Sequence, residues 1–538
     1  MVRSPLVQAL LDPARYPHPV DDIRLIETHI SWVFLAGAFA YKIKKPIDLG
    51  FLDFSTLEKR KQACEEELRL NRRTAPDLYL AVLPLYGASD SPVWTEDSGD
   101  PIEYAVQMVR FDESRQMDRM LAEGLLTARH MDALAETVAE FHEKHAARSL
   151  DADYGHPDRI QKAWEDNFRQ IRHWHPPNAC VDRLDAIERW TAERHESLRE
   201  RFVERKEAGF IRECHGDLHL KNLAWMAERP LVFDCIEFDP FLRWIDVMND
   251  CAFLSMDLEF QGVFPLSQRF LDGYVERTGD FEGLALLRFY KVYRAMVRAK
   301  VRLIRARQEI GEGRAEVAMQ EFCRYIGYAI ASTEPVPKGI LLTFGVSASG
   351  KSRIARSLTE RLPVFRIRSD VERKRLFGID RRGDASADFG EGIYSPGATR
   401  RTYDRLLMLC ASILDAGYGV IVDAAFLRFE ERERFRRLAA EKRVPFAIVE
   451  PVASVDTLRC RIRTRSKGVS DAGADILEHQ LQTMERLTEV EREHVFSWDT
   501  EADADVTVLA ERILAYLTSI ATAGVAFRRN VAFQSMDR

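Results

Sequence analysis

A chain of 538 residues is too long for one ordinary hydrophobic core, so two or three folding units are expected. Its 46% hydrophobic and 30% charged residues exclude a disordered chain, and a net charge of −7 does not suit a dedicated nucleic-acid binder. The charge is uneven, about −11 over residues 1–337 and about +4 beyond them, so the second part could serve anionic substrates. The eight cysteines include no C-x-x-C pair, which argues against a zinc site and for reduced, mostly buried thiols. The N-terminal stretch MVRSPLVQALLDPARYPHP has no long apolar core, and no run approaches the roughly 20 apolar residues that span a bilayer. A cytoplasmic protein with no membrane partner is expected.

From about residue 20 to 110 the pattern is rich in strands. HISWVFLAG and AFAYKIKKP predict a hairpin around Gly37, KRKQACEEELRLNRR a helix, and LYLAVLPLY and IEYAVQMVRF further strands. From about 111 to 333 the pattern is mostly helical, as in MDALAETVAEFHEKHAA and FYKVYRAMVRAKVRLIRARQ. One interruption, ECHGDLHLKNLAW followed by a short predicted strand LVFDCIEF, lies in its middle. ASTEPVPKG, residues 331–339, predicts the main boundary. Beyond it ILLTFGV, VFRIRSD, GVIVDAAF and FAIVEPV alternate with helical patterns, which predicts a parallel sheet with crossover helices over 338–520. Residues 521–538 form a tail with no strong signal.

HGDLHLKN, residues 215–222, has the spacing of a phosphoryl-transfer loop. A carboxylate, Asp217, can meet an incoming hydroxyl, and an amide five residues on, Asn222, can face a metal ion. Asp234, after the apolar run LVF, is placed for a second metal ligand. HGD-x-x-x-x-N followed by an apolar-Asp strand resembles the aminoglycoside phosphotransferase-like kinases over residues 1–333, with a small lobe at about 20–110 and a helical lobe at about 111–333. The resemblance implies a two-lobed protein-kinase-like fold, Asp217 as catalytic base, Asn222 and Asp234 as magnesium ligands, and a downstream structural Asp at Asp246. It also implies a lysine for the ATP phosphates and a glutamate to hold it. Lys44 and Lys42 are the candidates for the first, Lys44 preferred because it sits where V-A-I-K places its lysine; Glu66 and Glu67 are the candidates for the second.

GVSASGKS, residues 345–352, fits the P-loop pattern and stands between an apolar strand and a helix-like run. Gly345, Ser349 and Gly350 shape the loop, Lys351 reaches the terminal phosphates and Ser352 binds Mg²⁺. Asp423, at the end of GVIVD, completes the metal site, and Ala424 stands where motor ATPases place a water-activating glutamate. Transfer to a bound acceptor is therefore expected over free hydrolysis. Asp370 would be the base and Arg373 an acceptor-binding residue; Arg461 and Arg465, four apart on a predicted helix, would stabilise transferring charge. The P-loop, S-D-x-x-R at Ser369, Asp370 and Arg373, and SDA at Ser470–Ala472 resemble the zeta-toxin, polynucleotide-kinase and gluconate-kinase type. AAFL stands where polynucleotide kinases tend to carry an Asn, which weighs against a nucleic-acid acceptor.

The two halves in this order resemble a bacterial fusion family, an aminoglycoside phosphotransferase-like domain joined to an AAA-type ATP-binding domain. The chain is thus expected to be multidomain, α+β then α/β. The expected function is a bifunctional kinase using ATP and Mg²⁺ on small-molecule hydroxyls. The alternatives are that one half is a nucleotide-binding module gating the other, or that the P-loop half phosphorylates a nucleic-acid or nucleotide acceptor.

Overall fold

The computed structural model describes residues 4–48, 52–94, 99–149, 151–308, 312–380, 392–464, 474–502 and 505–521. They form two compact units, residues 1–169 with 192–257, and residues 170–191 with 258–538.

In the first unit six antiparallel strands, β1 (Ile23–Glu27), β2 (Ser31–Ala36), β3 (Phe39–Lys44), β4 (Tyr79–Ala88), β5 (Ser91–Val93) and β6 (Glu103–Val109), run in the order β1-β2-β3-β6-β4-β5. Period-two alternation sorts β3. Tyr41 and Ile43 join Phe34, Leu85 and Ala105 in one apolar core, while Lys42 and Lys44 take the opposite face. Helix α1 (Leu57–Asn71) begins at Thr56, whose hydroxyl accepts from Lys59 N at 3.3 Å. Its Cys64 and Leu68 pack with Tyr79 and Val106, which seats the helix on that second face. Two short ladders follow in the helical part: β7 (Ile211–Glu213) with a later strand β10 (Trp244–Asp246), and the hairpin β8 (Leu223–Met226) with β9 (Arg229–Val232). Helix α2 (Val247–Phe260) comes next. The strand expected over LVFDCIEF ends at Val232; Asp234 takes φ +64°, a left-handed conformation that cannot continue an extended ladder.

In the second unit helices α3 (Phe264–Thr278), α4 (Leu284–Gln308) and α5 (Glu312–Thr333) precede five strands. These are β11 (Ile340–Thr343), β12 (Val364–Arg368), β13 (Gly419–Asp423), β14 (Phe446–Val452) and β15 (Val495–Asp499), all parallel, in the order β12-β13-β11-β14-β15. Helices α6 (Lys351–Thr359), α7 (Ser369–Leu376), α8 (Pro396–Asp415), α9 (Phe429–Lys442) and α10 (Val455–Thr464) alternate with them. Leu341, Ile421, Ala447 and Val449 of the sheet pack against Ile354, Ala355 and Leu358 of α6 in one apolar cluster. Both expected architectures are therefore present, the α+β kinase-like one and the α/β P-loop one. Arg465, the SDA stretch and the tail beyond Ala521 lie outside the described residues. No helix among the described residues is long and apolar enough to cross a membrane.

Candidate active sites

The HGD loop follows β7 and is held from α2. Asp250 Oδ2 accepts from His215 N and its Oδ1 from Gly216 N, both at 2.9 Å, while His142 Nε2 lies 3.2 Å from Oδ2. Burial pushes the Asp250 carboxyl up, but these donors outweigh it and hold it below its usual range. The His215 ring reaches Phe233 O at 2.8 Å, which ties the loop to the segment carrying Asp234. Burial opposes charge on that imidazole, yet Cys235, Asp250 and Asp217 together push it up to about 9. The carboxylate that holds the backbone of the HGD loop is thus Asp250, four residues beyond Asp246. Asp246 instead pairs with Arg205 at 2.6 and 2.8 Å and accepts Met248 N at 2.8 Å, capping α2.

Gly216 sits at φ +82°, and a Cβ there would lie 2.7 Å from Leu242 O. Gly216→Ala is expected to cost about 1–3 kcal/mol from backbone strain alone. A thermal melt should show a drop of several degrees; an unchanged melt would show that the loop relaxes freely.

Asp217 and Asn222 meet within the loop: Asn222 Nδ2 donates to Asp217 O at 3.0 Å and Oδ2 at 2.9 Å. With Nδ2 committed, Oδ1 is the Asn222 atom that could meet a metal ion. The His219 ring lies 3.2 Å from Asp217 Oδ2, and the Asp217 side chain keeps 34% exposure, enough to meet an acceptor.

Lys42 Nζ lies 2.8 Å from Glu67 Oε1 and 2.6 Å from Asp234 Oδ1, so one ammonium joins β3, α1 and the post-β9 segment. Burial opposes the charge, but Asp234 and Glu67 hold this lysine protonated well above its ordinary value. Glu67 is buried too, yet Lys42 and Lys44 pull its carboxyl down to about 2. Lys44, preferred on sequence, shares the same strand face but is fully buried between Glu67, at 2.5 Å, and Glu237. Glu66 faces elsewhere, paired with Arg69 at 2.7 Å and Arg243 at 2.6 Å. Of the four candidates, Lys42 and Glu67 are the ones linked to Asp234. Glu237 and Asp250 were missed by the motif reading; Asp250, four residues beyond Asp246 in WIDVMND, was visible as a same-face acid at the head of a helix.

In the second unit the loop between β11 and α6 bends through positive φ at Gly345 (+132°), Ala348 (+63°) and Gly350 (+101°). Lys351 Nζ donates to Val346 O at 2.7 Å, and the Ser349 hydroxyl is buried without a hydrogen-bond partner. Ser352 Oγ donates to Asp423 Oδ1 at 3.1 Å; Asp423 Oδ2 is buried and accepts no hydrogen bond. This hydroxyl–carboxylate pair with an orphaned oxygen fits a hard divalent cation such as Mg²⁺. Asp370, half-buried, stands in the first turn of α7, directly after β12. Arg373 is buried, donating to Ile393 O at 2.8 Å and Thr399 Oγ1 at 3.2 Å. Arg461 reaches the loop itself, donating to Ala348 O at 3.3 Å and to Thr500 Oγ1 and O at 2.9 Å. Two residues that the motifs did not single out, the buried Arg366 and the partly buried Arg368, lie 3.9 and 3.6 Å from Asp423 Oδ2.

Strand orders and site geometry define a chain that joins a protein-kinase-like fold to a P-loop kinase-like fold. A family model described as an AAA domain matches residues 340–489. Over 462 residues the chain is 32% identical to the uncharacterized protein Rv2004c of Mycobacterium tuberculosis (strain H37Rv), covering 85% of this chain and 90% of that one. The same figures hold for the uncharacterized protein Mb2027c of Mycobacterium bovis. The chain belongs to the family of these mycobacterial proteins. Among solved structures it is similar to a choline/ethanolamine kinase family protein from Mesorhizobium loti, with 12% identity, 61% of this chain and 97% of that one covered, and a TM-score of 0.36. It is also similar to a sugar kinase from Janibacter sp., with 22% identity, 36% and 100% covered, and a TM-score of 0.27.

Proposed function

We propose that the chain is an ATP-dependent phosphotransferase with two transfer sites, each moving a γ-phosphoryl group to a hydroxyl of a small molecule. The observation that carries this reading is the bridge from Glu67 through Lys42 to Asp234 beside the Asp217–Asn222 pair. Kinase-like phosphoryl transfer requires a strand lysine paired with a helix glutamate and an aspartate free to hold a metal ion close by, and Lys42, Glu67 and Asp234 supply these three groups.

In the first site Asp217 accepts the proton of the acceptor hydroxyl, Lys42 grips the ATP phosphates, and Asn222 and Asp234 are the metal ligands. In the second site the loop backbone and Lys351 hold the phosphates, with Ser352 and Asp423 as metal ligands. Asp370 takes the acceptor proton there, and Arg461 faces the developing charge from beside Ala348. Arg373 is the candidate for holding the acceptor end of that crevice, through a guanidinium whose Nε is still without a partner. Mg²⁺ held by Asn222 and Asp234 in one site, and by Ser352 and Asp423 in the other, would supply positive charge against the phosphates. Ala424 in place of an acid beside Asp423 supports transfer over hydrolysis. The fusion places both sites on one chain of predicted cytoplasmic location, with ATP and small metabolites as its partners.

An acceptor screen with γ-labelled ATP tests the reading. Wild type should label at least one hydroxyl compound; Asp217→Ala and Lys351→Ala should each abolish labelling of a different acceptor. Retention of every labelled product in both variants would contradict it.

A further inference from the structure

β12 is an edge strand, so its outward N–H and C=O groups need partners. Helix α3, which lies upstream of the residues matched by the AAA model, supplies them. Gln268 Nε2 donates to Val364 O at 2.7 Å, and Asp272 Oδ1 accepts from Arg366 N at 2.9 Å. Glu276 continues the series with side chains, taking Arg366 Nη2 at 3.0 Å and Arg368 Nη1 at 3.3 Å. The helix residues are four apart and the strand residues two apart. About 6 Å of helix rise per step therefore runs against about 6.6 Å of strand, and the register holds over three rungs. Gln268, Asp272, Glu276 and Arg366 are all buried, at 3%, 4%, 7% and 3% exposure.

The series ends at the metal-site carboxylate. Arg366 Nη1 and Arg368 Nε lie 3.9 and 3.6 Å from Asp423 Oδ2, the oxygen that accepts no hydrogen bond. Two guanidiniums at that range compete with a divalent cation for the same carboxylate. Glu276 draws both of them the other way.

We propose that Glu276 is a positioning residue of the P-loop site: by holding Arg366 and Arg368 it sets how freely Asp423 can take a cation, which makes α3 part of that site's machinery. This rests on the second transfer site proposed above. In the full-length chain, calorimetric titration of ATP across a series of Mg²⁺ concentrations reads it out, with Lys351→Ala separating P-loop binding from the rest. Glu276→Gln should raise the Mg²⁺ midpoint of P-loop ATP binding roughly tenfold, and Glu276→Asp should recover part of the shift. Adding Arg368→Gln to Glu276→Gln should bring the midpoint back, a rescue that a merely structural role would not give. An unchanged midpoint in folded Glu276→Gln, or no rescue by Arg368→Gln, overturns the proposal. Should Glu276→Gln fail to fold, Arg368→Gln alone carries the test: a several-fold lower midpoint is expected, and an unchanged one overturns it. ATP binding unaffected by Lys351→Ala would overturn the P-loop site itself, and the proposal with it.

Discussion

Asp217→Ala is expected to slow phosphoryl transfer at the first site by about 10²–10⁴-fold, the range over which loss of a positioned general base falls. ATP affinity at that site should change little. The reason is a division of labour visible in the geometry. Asp217 contacts Asn222 Nδ2 at 2.9 Å and the His219 ring at 3.2 Å, whereas the ammonium of Lys42, proposed to grip the phosphates, is held by Glu67 and Asp234 instead. Asp217→Asn separates base from scaffold. It keeps a side-chain oxygen for Asn222 but removes the basic carboxylate, so its transfer rate should fall as far as that of Asp217→Ala. Single-turnover transfer from γ-labelled ATP to the acceptor found in the screen measures both. A rate within fivefold of wild type in either variant would remove Asp217 from the base role.

Lys351→Ala is expected to have the second large effect, a loss of about 10²–10³-fold in transfer at the P-loop site together with weaker nucleotide binding. Here the positive charge is delivered by a loop rather than by a strand and a helix. Lys351 is the first residue of α6, and its ammonium lies on Val346 O at 2.7 Å, within the loop that Gly345, Ala348 and Gly350 bend. No described residue replaces it on that loop: Arg461 also reaches it, but through Ala348 O and Thr500, on the side of β15. Transfer at the first site is expected to be unchanged in Lys351→Ala, since Lys42 and Asp234 belong to the other compact unit.

The sequence carries local chemistry better than long-range pairing. HGD-x-x-x-x-N and G-x-x-x-x-G-K-S are short, and each forms from one loop, so spacing alone placed Asp217 with Asn222 and Lys351 with Ser352. Four of the five strands of the parallel sheet were likewise readable as apolar runs; the edge strand β15, VFSWD, is only partly buried and gave no such run. The lysine question was not readable in the same way. Lys42 and Lys44 share one face of β3 by alternation, and only the approach of Glu237 and Asp234, some 190 positions on, tells them apart. Asp246 and Asp250 both head the same helix, and which one turns toward His215 N and Gly216 N depends on the path of β10. FRIRSD carried a signal that went unused. Two arginines alternating within an apolar strand must find buried carboxylates, and these come from Glu276 and Asp423.

One chain is proposed to hold two separate nucleotide sites, divided differently between loop and scaffold. The most direct test is the binding stoichiometry of a non-hydrolysable ATP analogue with Mg²⁺, measured by equilibrium dialysis on the full-length protein. Two molecules per chain are predicted for wild type, and one for Lys351→Ala. One molecule per chain in wild type, or two retained at unchanged affinity in Lys351→Ala, would contradict it.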